Sequence, residues 1–129
     1  MDTRELKERG LKLRQQMFGE KAVSERMSAA GEFGQPLQDI INAYAYGDVW
    51  SRPGLEKKTR SLVVLAMMAA INRPAEFSVH VRGALANGAT ADEIREVLLL
   101  LTMYCGIPAA NDAHRIAAEI IAGRESVRR

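Results

Sequence analysis

A single cysteine, Cys105, stands among 129 residues. That excludes an intrachain disulfide and suits a reducing compartment. Aromatic residues amount to only 5%, and no stretch alternates apolar and polar side chains for long, so strands are not signalled. A surplus of one charge is also missing. The net charge is +2, with basic and acidic residues interleaved rather than gathered into a Lys/Arg stripe with aromatics, which argues against nucleic-acid binding. The longest apolar run, Leu62 to Ile71, is half of what a membrane span needs. The first residues, Met1 to Arg9, are charged and carry none of the apolar core of a secretory signal. A cytoplasmic protein with no membrane association is expected. Two histidines and one cysteine in no tight cluster argue against a zinc site, and there is neither a Gly-rich phosphate loop nor a nucleotide fingerprint.

What is present is an ordinary globular balance, 47% apolar and 26% charged, on a chain of the length of one domain, residues 1–129. Apolar residues recur at helical spacing. A first helix is predicted from Thr3 to Phe18, with Leu6, Leu11, Leu13 and Met17 inward and Gly19 as its stop. A short one follows from Glu20 to Ala29. Gly31 and Gly34 break the chain before a helix from Gln35 to Tyr46, with Leu37, Ile40, Ile41, Tyr44 and Ala45 on its apolar side and Gly47 at its end. Asp48 to Gly54 reads as a loop around the Pro53-Gly54 turn. The helix from Glu56 to Ile71 becomes apolar on every side, which calls for cover all round and hints at burial against another subunit. Pro74 suits the first position of the next helix, and Gly88 its left-handed stop. Thr90 with Glu93 forms a capping box that opens a helix from Ala91 to Tyr104. Gly106 and Pro108 separate it from a last helix, Ala109 to Ala122, closed by Gly123. The expected fold is all-α, a compact bundle of six to seven helices.

Three places concentrate chemistry. Glu76 and His80 are four residues apart, hence on one face of the helix that Pro74 opens. A carboxylate beside an imidazole raises the histidine pKa and suits proton transfer near neutral pH, although an exposed helix pair of this kind is also common. Arginines are the second supply: Arg52, Arg60, Arg73 and Arg82. Guanidinium groups grip carboxylates through paired hydrogen bonds, and Arg60, at the edge of the apolar run, is the one expected to be partly buried. The third is the segment around Cys105, where a buried, inert thiol is the commoner case; His114 reads as a partly exposed helix histidine.

Several separated motifs then occur in one order. Asp48-Val49-Trp50-Ser51-Arg52-Pro53-Gly54-Leu55 leads to Thr59-Arg60-Ser61-Leu62 and Ala66-Met67-Met68. Glu76-Phe77, His80, Arg82, Ala84-Leu85 and Asn87-Gly88 run into Thr90, Glu93-Ile94 and Glu96-Val97-Leu98. Tyr104-Cys105-Gly106 and Pro108-Ala109-Ala110-Asn111 close the series. Together they resemble the carboxymuconolactone decarboxylase family, over most of the chain from Leu6 to Gly123. The wider superfamily includes alkyl hydroperoxidase D-like proteins, whose two cysteines would fall at Arg73 and Glu76. A two-thiol redox cycle needs both sulfurs, so that reading fails here.

The resemblance implies an alkyl hydroperoxidase D-like fold and a homo-oligomer, trimeric or hexameric. It also implies a cofactor-free decarboxylation of 4-carboxymuconolactone, a dicarboxylate lactone, to 3-oxoadipate enol-lactone and CO2 in protocatechuate breakdown by the β-ketoadipate pathway. On that reading Glu76 and His80 are catalytic, either one donating the proton. Arg60 with Arg52 or Arg73 holds the substrate carboxylates, and Trp50 and Tyr44 wall the pocket. A related lactone or carboxylate on the same fold, and a non-catalytic oligomeric binding protein, are the alternatives. The catalytic reading needs His80 in an enclosed pocket with at least one arginine; the second alternative tolerates it in open solvent.

Overall fold

The computed structural model describes residues 1–128. Among these the chain forms six α-helices, one π-helix and no β-strand, so the all-α class holds. It divides into two compact units, Met1–Glu56 and Lys57–Arg129.

In the first unit, α1 (Thr3–Phe18) opens on a capping box, in which the Asp2 carboxylate accepts from the Glu5 N–H at 2.8 Å. Helix α2 (Glu20–Ile40) bends sharply at Gly31, whose φ of 63° and ψ of −164° are open in practice only to glycine. The expected break is thus a kink. Gly34 passes without one.

The larger difference comes next. The predicted helix ending at Gly47 instead widens, without interruption, into a π-helix, Ile41–Val49. Its five-residue hydrogen-bond spacing carries to the end, where the Trp50 N–H donates to the Ala45 carbonyl at 2.8 Å. Gly47 does not terminate it but serves contact. A Cβ built on Gly47 would lie 2.1 Å from the Leu6 carbonyl oxygen, and one on Gly10 only 1.5 Å from that of Asn42. The backbones of α1 and the π-helix therefore touch directly. Side chains complete the join: the Arg9 guanidinium donates to the Gly47 carbonyl at 2.7 Å, and Arg14 donates to Asn42 Oδ1 at 3.0 Å.

This contact turns Asn42, Ala43, Tyr46 and Gly47 inward with Leu13 and Met17 of α1. Leu37, Ile40 and Tyr44, expected on the apolar face, are exposed. For Tyr44, inside the π-helix, the wider turn departs from the 3.6-residue period on which that face was predicted; Leu37 and Ile40 lie before it, in α2.

The second unit holds α3 (Lys57–Ala70), α4 (Pro74–Ala86), α5 (Ala91–Cys105) and α6 (Ile107–Arg128). They pack around Leu65, Phe77, Val81, Ile94, Leu98 and Ala117. Boundary signals act as read: Pro74 lies in the first turn of α4, Gly88 takes a φ of 97°, and Thr90 and Glu93 satisfy each other's backbone N–H at 3.0 Å each. Those bonds, with Lys58 at 3.1 Å, hold the Glu93 carboxyl below its ordinary value.

Two expectations about α6 are corrected. It begins at Ile107, so Pro108 sits in its first turn, where its missing N–H costs nothing. It also runs through Gly123 to Arg128, because a lone glycine lowers helix stability by only about 1 kcal/mol. The apolar run on α3 is covered on one side: Leu65 and Ala69 enter the core, whereas Val63, Met67 and Ile71 are exposed.

Candidate functional site

Helix α4 carries the acid and the imidazole. Pro74 fixes the start of the helix, which puts Glu76 in its first turn and His80 in its second. Phe77, Val81 and Ala84, on the adjoining stripe, are almost completely buried in the core of the second unit. They set the rotation of α4 about its axis, and so the direction of the Glu76–His80 face. His80 is 9% exposed and Glu76 is half-buried. The imidazole is therefore not in open solvent, as a surface pair would leave it.

The electrostatics differ from the expectation. Burial pushes the His80 imidazole below its ordinary value of 6.5, against the smaller opposing pull of the Glu76 carboxylate. Four-residue spacing predicts the attraction but not the cost of removing an imidazolium from water, and the second effect is the larger.

A stability consequence follows. The unfolded imidazole titrates at about 6.5, the folded one lower, so the unfolded chain binds the proton first. The stability due to neutral His80 is full above the unfolded value and is lost as the pH falls through the folded one. Urea unfolding between about pH 7 and pH 5 should show a fall in stability that His80→Gln flattens; an equal slope in both proteins would contradict the burial argument.

The arginines lie on separate elements. Arg60 lies in the first turn of α3 and is partly buried, as expected. The Asn87 amide donates to the Ser61 hydroxyl at 3.0 Å, which ties α3 to the residue that follows α4. Arg73 is the residue that precedes α4. Its N–H donates to the Met68 carbonyl and its carbonyl accepts from the Phe77 N–H, both at 2.8 Å, and its side chain is exposed. Arg82 lies two residues beyond His80 and so about 160° around the helix from it.

The remaining candidates belong to the first unit. Trp50 is buried and stacks on Tyr46 with ring centroids 5.8 Å apart; Phe18 meets Tyr46 edge-on at 5.9 Å. Tyr44 is 48% exposed on the π-helix. Arg52 is exposed and grips the Asp48 carboxylate through two hydrogen bonds, of 3.0 and 3.3 Å. That contact raises the Arg52 pKa and lowers that of Asp48. Asp48 is thus a partner that reading the loop residue by residue missed; its four-residue offset from Arg52 was the available signal. Cys105 is exposed, not buried, and His114 is partly exposed. Among the described residues no three His, Cys, Asp or Glu side chains gather as a metal site would need, and no helix is long and apolar enough to cross a membrane.

Comparison with known proteins adds the following. The carboxymuconolactone decarboxylase family model matches residues 35–119. The chain is 41% identical over 111 residues to a protein of Acinetobacter baylyi named 4-carboxymuconolactone decarboxylase, covering 86% of this chain and 83% of that one. It is 37% identical over 118 residues to nitrosuccinic acid decarboxylase npaB of Metarhizium robertsii, covering 92% and 82%. An uncharacterized 15.0 kDa protein of Paracoccus denitrificans is 37% identical over 79 residues, covering 60% and 59%.

Proposed function

Because the chain belongs to the carboxymuconolactone decarboxylase family, we propose that it converts 4-carboxymuconolactone to 3-oxoadipate enol-lactone and CO2. The structural observation that carries a catalytic reading is His80, held out of bulk solvent one helical turn from Glu76.

The substrate needs no external electron sink. When the ring carboxylate leaves as CO2, the electron pair of the broken C–C bond moves through the conjugated double bond onto the lactone carbonyl oxygen. The resulting dienolate then takes a proton on ring carbon. The protein has to hold two carboxylates, stabilise the developing oxyanion and supply that proton. His80 delivers it and Glu76 orients the ring. Burial lowers the proton affinity of His80 in the free protein, and a dianion bound beside it acts in the opposite direction. Arg60 with Arg73, in the same unit as His80, binds the carboxylates.

Purified protein mixed with 4-carboxymuconolactone should release CO2 as the lactone absorbance changes; no release would end this assignment. The similarity to a nitrosuccinic acid decarboxylase favours a second reading. Nitrosuccinate is also a dicarboxylate, and its nitro group can accept the electron pair that CO2 loss leaves behind. The same assay with nitrosuccinate decides between the two. Arg60→Ala should raise KM roughly tenfold or more with kcat little changed, the scale of a lost charge-assisted hydrogen bond. A wild-type KM in the folded variant would remove Arg60 from binding.

The protein works as a homo-oligomer in the cytoplasm on this reading, with trimeric or hexameric symmetry. The exposure of Val63 and Met67 on α3, of Ile71 just beyond it, and of Leu100, Met103 and Tyr104 on α5 supports association, since apolar faces of this extent tend to be covered by a partner.

A further inference from the structure

A recess of about 850 Å³ runs between α4 and α6, lined by Ser78, Arg82, Leu85, Ile116, Ile120 and Arg124 among others. Its place on α4 separates it from the site described above. Ser78 and Arg82 each lie two residues from His80, about 160° around the helix, and Leu85 lies about 140° around it. The volume is in the range of small-molecule pockets.

The recess is apolar along most of its walls and basic at two points. Neither the Arg82 nor the Arg124 guanidinium takes part in a hydrogen bond or ion pair among the described residues. One carboxylate, Glu119, also borders the recess, and its Oε1 lies 3.8 Å from Arg115 Nη1. Among the described residues the wall carries two positive charges and one negative, a net positive charge that suits one anionic group. The two helices run in the same direction: Phe77 shares a small recess with Ala113 and Ile116, while Leu85 and Ala86 lie with Ile120 and Gly123. From Ile116 to Arg124 is eight helical residues, about 12 Å, so the groove is elongated and carries Arg124 at one end.

We propose that this α4–α6 groove binds an elongated amphipathic monocarboxylate. Arg82 and Arg124 hold the carboxylate, and the hydrocarbon tail lies along Leu85, Ile116 and Ile120. Guanidinium groups supply orientation through paired hydrogen bonds, and burial of the tail supplies most of the affinity.

Decanoate, whose extended chain matches the groove, is a direct probe. Titrated into the full-length protein below its micelle concentration, it should bind saturably at one site per chain, with amide shifts confined to α4 and α6. The double variant Arg82→Gln, Arg124→Gln should fold normally and bind at least tenfold more weakly. Decanol, with the same tail and no charge, should also bind at least tenfold more weakly. Excess dicarboxylate lactone should leave decanoate binding unchanged. The proposal is overturned by absence of saturable binding, by equal affinity in the double variant, by equal affinity for decanol, or by displacement with the dicarboxylate. The last result would put decanoate in the His80 site instead; CO2 release from 4-carboxymuconolactone without decanoate is measured separately and tests the decarboxylase reading on its own.

Discussion

Replacing His80 with Gln is expected to lower turnover of 4-carboxymuconolactone by roughly a hundredfold or more, the scale of a general acid, with KM changed far less. Gln fills much of the same volume and can still form a hydrogen bond, but it cannot transfer a proton. The variant therefore separates chemistry from packing, which Ala would not do at a buried position. Glu76→Gln should be milder, since it removes the charge that orients and stabilises the imidazolium rather than the proton itself. Steady-state rates for both variants, with helicity checked by circular dichroism, supply the measurement. Unchanged turnover in His80→Gln would take the imidazole out of the mechanism. A larger loss in Glu76→Gln than in His80→Gln would exchange the two roles.

The second large effect concerns Gly10. Helix propensity alone predicts that Gly10→Ala stabilises α1 by about 1 kcal/mol. The structure reverses that sign. The added methyl would fall 1.5 Å from the Asn42 carbonyl oxygen and 2.6 Å from the Gly47 nitrogen. Both are backbone atoms in a helix, which cannot swing aside as a side-chain tip can. Overpacking typically costs about 1–3 kcal/mol, and more where neighbours cannot yield. A loss of about 3 kcal/mol or more is expected, lowering the melting temperature by about 10 °C or more. Gly54→Ala is the control, because a methyl there meets nothing within 4 Å; it should stay within about 0.5 kcal/mol of wild type. A Gly10→Ala protein that melts with the wild type would mean that α1 and the π-helix do not touch as described.

These two cases also show which parts of the molecule could be read from its sequence. Local chemistry announced most helix boundaries of the second unit. Pro74, Gly88, Gly106 and the Thr90–Glu93 box act through bonds and torsions within a few residues, so no distant partner is needed to interpret them. The Glu76–His80 pairing was legible for the same reason, since four-residue spacing on a helix is itself a distance. The π-helix was not. Its side-chain directions depend on how closely α1 can approach through Gly10 and Gly47, and on the hydrogen bonds from Arg9 and Arg14, all of which join residues about thirty to forty positions apart. A 3.6-residue period applied to that segment selected Tyr44 as inward, and it is exposed.

By itself, then, the order of residues determined an all-helical chain, the limits of most helices, the acid–imidazole pair and the family. Only the tertiary structure decided that His80 is buried deeply enough for desolvation to outweigh its carboxylate neighbour, and that Cys105 is exposed. The division has one physical cause. Torsional preferences and capping are short-range and travel with the sequence, whereas desolvation and close packing are properties of whatever surrounds a group once remote segments have met.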